Sequence, residues 1–142
     1  MKLSNETLAV LKNYASINSN MVFRGGNTIK TMSEAKNILA TSTVKENFPD
    51  VTFGIYDLNE FLNAIDMFDD PDLLFADDMN SVTVKQGSQS IRYFFSDPQI
   101  LTSPSKDIQM PTPEVKFELT ADDLATIRRA ASTLSVSDVV VS

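Results

Sequence analysis

The order of predicted elements repeats along this 142-residue chain, and that repetition most strongly limits the folds it can adopt. Each repeat is a strand, a helix and three strands, and each helix follows a good N-cap residue, namely Ser4, Asp57 and Thr120. The caps lie 53 and 63 residues apart, although residue identity between the repeats is low. The pattern predicts two complete βαβββ units and the start of a third, so we expect the chain to be a fragment.

Hydrophobic periodicity predicts the elements of the first unit. After a short leading strand and Ser4, apolar residues recur at helical spacing, namely Leu8, Leu11 and Ala15. Two β-rich runs at 21–23 and 28–32 flank a turn containing two glycines, which predicts a hairpin. A further strand is expected at 38–43.

The later units follow the same order. The second is predicted to contain a helix after Asp57 and four strands, at 51–56, 73–76, 81–85 and 91–95. The third is predicted to contain a helix after Thr120 and two strands, at 115–119 and 138–141.

Prolines separate the second unit from the third. The stretch 97–113 holds four of the six prolines, which interrupt both helices and sheet ladders. The predicted domains are therefore a complete domain at 1–96, a connector at 97–114 and a partial second domain at 115–142.

Two absences exclude several classes of chemistry. The chain contains no cysteine and no histidine. Thiol catalysis, Cys/His zinc sites, Ser-His-Asp triads and haem ligation are therefore excluded within it. The glycine spacing fits no phosphate-binding loop or dinucleotide fingerprint, so no cofactor is predicted. No apolar run is long enough for a membrane span, and the absence of cysteine is typical of an intracellular protein.

Charge is distributed unevenly along the chain. The net charge of −7 argues against a protein that holds nucleic acid by its overall charge. Residues 1–50 nevertheless carry six bases and four acids, whereas 57–78 carry eight acids and no base. A partner that meets only the basic part therefore remains compatible with the sequence.

The aspartates of 69–78 raise the question of a metal site. Their spacing does not match an EF-hand, which needs a glycine at the sixth position and a glutamate at the twelfth, and Pro71 interrupts the run. We predict solvated loops and no metal, with a Mg²⁺-dependent hydrolase as a weaker alternative.

Several short motifs resemble one family over essentially the whole chain. They are the opening MKLS, LKN at 11–13, INS at 17–19 and IYDLNEFL at 55–62, and they resemble the sliding clamp, or DNA polymerase processivity factor, of T-even-type phages. The resemblance implies an α+β DNA-clamp fold, with duplicated βαβββ units whose helices lie on one face of antiparallel sheets. In that family three subunits close a ring of twelve helices around duplex DNA.

The resemblance also implies a function without catalysis. Such a clamp tethers the replicative polymerase by encircling DNA regardless of sequence, is opened by an ATP-driven clamp loader, and serves late transcription in these phages. It implies location in the cytoplasm of the bacterial host, with no membrane or cofactor. A full-length subunit would form a homotrimer, whereas this chain is expected to form a dimer or exchanged oligomer. The alternative is a non-catalytic, β-rich interaction scaffold without a nucleic-acid role.

Candidate DNA-facing residues follow from the same resemblance. On and beside the first helix they are Lys2, Lys12 and Asn13, and on the third helix they are Arg128 and Arg129. From charge pattern alone these residues would be ordinary solvated helix positions. The second helix is a doubtful phosphate contact because it carries acids and no base.

A second candidate site is a pocket for a partner peptide. Clamps generally place such a pocket beside the interdomain connector, and the candidate residues here are Phe94, Phe95, Ile108 and Met110. The alternative is that the aromatic residues before the connector simply pack in the core.

Overall fold

The computed structural model describes residues 1–142 and divides them into two compact units, Met1–Asp107 and Ile108–Ser142. The α-helices are α1 Asn5–Ile17, α2 Leu58–Asp66 and α3 Ala121–Leu134, and a short 3₁₀ helix covers Pro98–Ile100. The strands are β1 Met21–Phe23, β2 Gly26–Met32, β3 Leu39–Phe48, β4 Phe53–Ile55, β5 Asp72–Phe75, β6 Ser81–Gln86 and β7 Gln89–Phe94.

The predicted N-caps of the first two helices are confirmed. The Thr7 N–H donates to the Ser4 hydroxyl at 3.3 Å, and the Glu60 N–H donates to the Asp57 carboxylate at 3.1 Å. Each bond satisfies one of the amide groups that a helix leaves unpaired at its first turn. The two helix starts are therefore fixed by local sequence.

Strand pairing interlocks the two βαβββ units of the first compact unit. All sheets are antiparallel, with β1 paired to β4, β2 to β3, and β5–β6–β7 in one sheet. The segment before α1 bonds to β5, because the Leu73 N–H donates to the Met1 carbonyl at 2.7 Å. The leading segment of each unit thus pairs with a strand that follows the helix of the other. The predicted leading strand is present only as this backbone contact.

The predicted hairpin between 21–23 and 28–32 is wrong. Both strands exist, but β1 pairs with β4 through the register Met21↔Ile55, and β2 pairs with β3. All three residues of β1 and all three of β4 are buried, so each strand needs cover on both faces. Pairing these two buried strands satisfies their backbone N–H and C=O groups inside the core, where unpaired groups would be costly, while the half-exposed β2 pairs with β3.

Within the first compact unit, aromatic rings join the two βαβββ units at the centre of the core. The Phe53 ring lies 4.9 Å from Phe23 and 4.6 Å from Phe95, measured between ring centroids. Phe23 also lies 4.5 Å from Phe48. α1 and α2 pack on this core through buried side chains, which include Leu11, Tyr14, Leu58, Phe61, Leu62 and Ile65.

The first compact unit continues past the predicted domain end at residue 96. Leu101 is buried, and the Asn18 side-chain amide donates to the Thr102 carbonyl at 2.8 Å. The Thr102 N–H in turn donates to the Asn20 side chain at 3.1 Å. The first part of the proline-rich stretch is therefore packed structure, while the division at 1–96, 97–114 and 115–142 stays a prediction.

The second compact unit contains α3 and no strand. A capping box begins the helix, with the Asp123 N–H donating to Thr120 Oγ1 at 3.1 Å and the Thr120 N–H donating to the Asp123 carboxylate at 3.2 Å. The predicted strands at 115–119 and 138–141 are not formed. A strand needs a hydrogen-bonded partner, and no strand lies in this unit to provide one.

None of the helices combines the length and the apolar character needed to cross a membrane.

Candidate nucleic-acid interface

Helices α1 and α2 contact one another in the first compact unit. The Leu58 N–H, at the start of α2, donates to the Ser19 carbonyl just beyond α1 at 2.8 Å. Phe61 faces Tyr93 of β7 with 5.2 Å between ring centroids, so α2 packs on the three-stranded sheet. α1 packs on β2 and β3, where the Tyr14 hydroxyl donates to the Ser42 hydroxyl at 2.7 Å. The two helices therefore lie side by side above the sheets.

A groove of about 350 Å³ runs between α1 and the segment that follows α2. We call it the α1–α2 groove, and its lining comprises Leu3, Asn5, Leu8, Ala9, Lys12, Ile65, Asp66, Phe68, Asp69, Asp70, Pro71 and Leu73. It has an apolar floor and a charged rim.

The two predicted DNA-facing lysines are paired with acids that line this groove, and Lys12 itself also lines it. Lys12 Nζ is 2.9 Å from Asp66 Oδ2, and both side chains are about half exposed. Lys2 Nζ contacts the Asp70 carboxylate and donates to the Asp70 carbonyl at 3.1 Å. The hydrogen bond from Lys2 to Asp70 raises the pKa of the Lys2 ammonium above its ordinary value. Each lysine therefore already has a counter-charge.

Asn13 lies on the exposed side of α1, one residue after Lys12. Its backbone carbonyl accepts a hydrogen bond from the Ser16 hydroxyl at 2.6 Å. The Asn13 side-chain amide forms no hydrogen bond, so a neutral donor and acceptor are available there, but Asn13 does not line the α1–α2 groove.

Arg128 and Arg129 lie on α3 in the second compact unit, and both are exposed. Neither forms a salt bridge. Successive residues of a helix point about 100° apart, so the two guanidinium groups cover a broad sector of the α3 surface. α3 thus carries free cations, whereas the cations at the α1–α2 groove are neutralised.

Glu46 was not singled out from the sequence, yet it fixes the start of α1. It lies on β3 and accepts hydrogen bonds from the Ser4 N–H and the Thr7 hydroxyl. Burial opposes ionisation of Glu46, but these hydrogen bonds outweigh burial and lower the pKa of Glu46 below its ordinary value. The contact spans 42 residues to Ser4, so no local pattern indicates it.

The candidate peptide-pocket residues fall in both compact units. On β7, Phe94 is 64% exposed, while the adjacent Phe95 packs against Phe53 in the aromatic core. Ile108 and Met110, which belong to the second unit, are 63% and 86% exposed. Alternation along β7 therefore separates one exposed ring from one that contributes to packing, and the pocket remains a prediction.

Two of the five aspartates of 69–78 are engaged in other side-chain contacts. The Asp78 carboxylate accepts from the Asn80 N–H at 3.3 Å and from its side-chain amide at 2.6 Å. Asp70 pairs with Lys2. No group of three or more potential metal ligands is close enough to hold an ion.

Comparison with known proteins gives one consistent family resemblance. The chain is 33% identical over 144 residues to the sliding clamp of Vibrio phage KVP40, covering 99% of this chain and 64% of that protein. It is 28% identical to the sliding clamp of Enterobacteria phage T4 and 29% identical to that of Escherichia phage RB69, covering 62% of each. No protein-family model matches.

The chain thus spans slightly less than two thirds of the length of these curated relatives. Its mixed helices and antiparallel sheets, in duplicated βαβββ order, are the DNA-clamp fold. The resemblance to the sliding clamps of T-even-type phages, predicted from four short motifs, is confirmed over the full length of the chain.

Proposed function

We propose that this chain forms part of a DNA sliding clamp that tethers a replicative polymerase to duplex DNA by encirclement. The supporting observation is the interlocked pair of βαβββ units, whose helices α1 and α2 lie side by side above antiparallel sheets. The names of three phage relatives point the same way. This function requires no catalytic residue, and it is proposed to operate inside the infected host cell.

Weak electrostatics at the groove suit such a role. Lys2 and Lys12 are each offset by an aspartate, so this face of the first unit offers phosphate little net attraction. A ring that encircles DNA is retained by topology and does not need tight binding. Tight contacts to the phosphates would in fact slow its movement along the duplex.

The proposed partners beyond DNA are a polymerase and an ATP-driven clamp loader. We propose a homotrimer for the full-length subunit. The residues proposed to face the duplex are Lys2, Lys12, Asn13, Arg128 and Arg129. A polymerase or loader tail is proposed to dock near Phe94, Phe95, Ile108 and Met110. The exposed ring of Phe94 supports this assignment within the first compact unit, because it offers apolar area to a peptide.

A processivity assay tests the proposed function. A full-length clamp carrying this chain, with its loader and ATP, should lengthen the products made by the polymerase on a primed circular template. The double variant Lys12→Glu/Arg128→Glu should load less efficiently, because two cations at the proposed DNA side become anions. The matched variant Lys36→Glu/Lys85→Glu makes the same change in charge at two exposed lysines outside α1 and α3 and should load normally. Product lengths unaffected by the clamp would contradict the proposal.

A further inference from the structure

Two acidic side chains form ion pairs with the lysines that the proposed clamp would direct toward DNA phosphate. Asp66, the last residue of α2, lies 2.9 Å from Lys12 Nζ, and Asp70 contacts Lys2. Both pairs bridge different parts of the chain, separated by 54 and 68 residues. Because the partners come from different elements, the fold brings these charges together.

The pairs contribute little to folding stability. The side chains of Lys12 and Asp66 are 52% and 46% exposed, and those of Lys2 and Asp70 are 48% and 66% exposed. Ion pairs with such access to water contribute little to stability, because the charges remain solvated and screened. Their larger effect is therefore on the electric field of the α1–α2 groove.

The surrounding sequence strengthens that effect. Residues 57–78 contain eight acids and no base, so nothing on α2 compensates for Asp66 and Asp70. Asp69 also lies at the groove rim. A phosphate approaching Lys12 would have to displace a carboxylate and would then remain close to other carboxylates. Each displaced pair lowers the gain from binding and reduces the number of counterions released.

We propose that Asp66 and Asp70 are intramolecular competitors for DNA phosphate, which hold Lys2 and Lys12 and keep this face of the chain weakly attached to duplex. This inference rests on the proposed clamp function and adds a regulatory role for its acidic residues. In a clamp, such competition would let each lysine exchange between carboxylate and phosphate as the ring moves.

The test compares the affinity of the 142-residue chain and its variants for a short blunt-ended duplex, measured by fluorescence anisotropy over a range of salt. The variant Asp66→Asn/Asp70→Asn frees both lysines and should bind at least about threefold more tightly at low salt. The slope of log affinity against log salt should steepen by up to about 1.8, because each new phosphate contact adds about 0.9. Asparagine has nearly the shape of aspartate, and both positions are well exposed, so the fold should persist.

Three controls separate local competition from overall charge. Asp50→Asn/Asp77→Asn removes two exposed acids that hold no lysine, and it should leave the salt slope unchanged. Asp66→Glu/Asp70→Glu keeps the competing charges and should retain the affinity of the unmodified chain. Adding Lys2→Gln/Lys12→Gln to the asparagine variant should abolish its gain.

Equal gains for both asparagine variants, or no gain for Asp66→Asn/Asp70→Asn, would overturn the inference. A gain that survives loss of both lysines would overturn it too. These outcomes are distinct from failure of the proposed function, which is measured by the processivity of the full-length clamp. If the clamp supports processive synthesis but Asp66→Asn/Asp70→Asn does not increase duplex affinity, the proposed function stands. Only the competing role of Asp66 and Asp70 is then wrong.

Discussion

Met1 and Leu73 exchange two backbone hydrogen bonds, with the Leu73 N–H donating to the Met1 carbonyl at 2.7 Å and the Met1 amino group donating to the Leu73 carbonyl at 3.0 Å. In the equivalent contact, β4, which leads the second βαβββ unit, pairs with β1, which follows the helix of the first. This pair is centred on Val22↔Gly54. Each βαβββ unit thus completes the sheet structure of the other. The two units are therefore expected to unfold together as one cooperative domain.

Leu11→Ala tests the packing of α1 on the core. Leu11 is fully buried, so truncation should leave a cavity and lower the free energy of unfolding by about 2–5 kcal/mol. The matched variant Leu74→Ala changes a leucine that is 48% exposed and should cost less than about 1 kcal/mol. Urea denaturation followed by circular dichroism measures both. Similar losses would show that α1 does not pack as described.

Gly54→Ala tests the docking of the segment that follows β7. A Cβ atom at Gly54 would lie 2.5 Å from Leu101 Cδ1 and 2.8 Å from the Ser96 carbonyl oxygen. The segment must then shift, which should destabilise the chain by about 1–3 kcal/mol and speed trypsin cleavage after Lys106, because cleavage needs a locally mobile backbone. Ser90→Ala, at an exposed position on β7, should leave the cleavage rate unchanged. Equal rates in all three proteins would contradict the docking.

Glu46 predicts a specific dependence of stability on pH. Its pKa is lowered in the folded chain, so the Glu46 contribution is present above the ordinary glutamate value of about 4.3 and is lost as pH falls through the lower folded value. Glu46→Gln should lower the free energy of unfolding by about 1–2 kcal/mol near neutral pH. The difference from the unmodified chain should shrink as the pH falls below that ordinary value and through the lower folded pKa.

Urea midpoints measured across this pH range check the Glu46 prediction. Glu34→Gln is the matched control, because Glu34 is exposed and forms no side-chain hydrogen bond. A pH-independent difference for Glu46→Gln would mean that the charge of Glu46 does not stabilise the start of α1.

Residues 115–142 are predicted to drive self-association. Their apolar side chains are open to solvent, with Phe117, Leu134 and Val140 57%, 72% and 88% exposed. Such a surface favours contact with a second copy, and the unpaired backbone of 139–141 favours strand exchange. Light scattering should show a dimer or larger species for the full chain and a monomer for a version ending at Asp107. Monomers in both cases would rule out this interface.

Local signals in the sequence predicted much of the fold correctly. Ser4, Asp57 and Thr120 begin helices because an N-cap depends on residues three positions apart. β5, β6 and β7 were predicted because short turns connect neighbours along the chain. These elements depend on contacts that a short window of sequence contains.

The misplaced elements depend on distant contacts. The glycine turn after β1 indicated a local hairpin, but burial on both faces pairs β1 with β4 across some 30 residues of chain. The runs 115–119 and 138–141 have strand composition but no partner strand within their unit. Composition alone cannot supply a hydrogen-bonded neighbour.

The candidate interface shows the same division. Lys2 and Lys12 were identified from the family resemblance, but their aspartate partners were not, because 68 and 54 residues separate each pair. The charge count of residues 57–78 indicated an acidic neighbourhood without indicating which lysines it would meet. The fold determines that pairing by placing α1 beside the end of α2.

The most direct measurement of the proposed function is retention on circular and linear DNA. A labelled full-length clamp carrying this chain is loaded onto a nicked circle, washed with high salt and then released by cutting the circle once. Encirclement predicts retention on the intact circle and rapid loss after cutting, because the ring slides off a free end. Equal loss of the clamp from circular and linear DNA, or equal retention on both, would contradict encirclement.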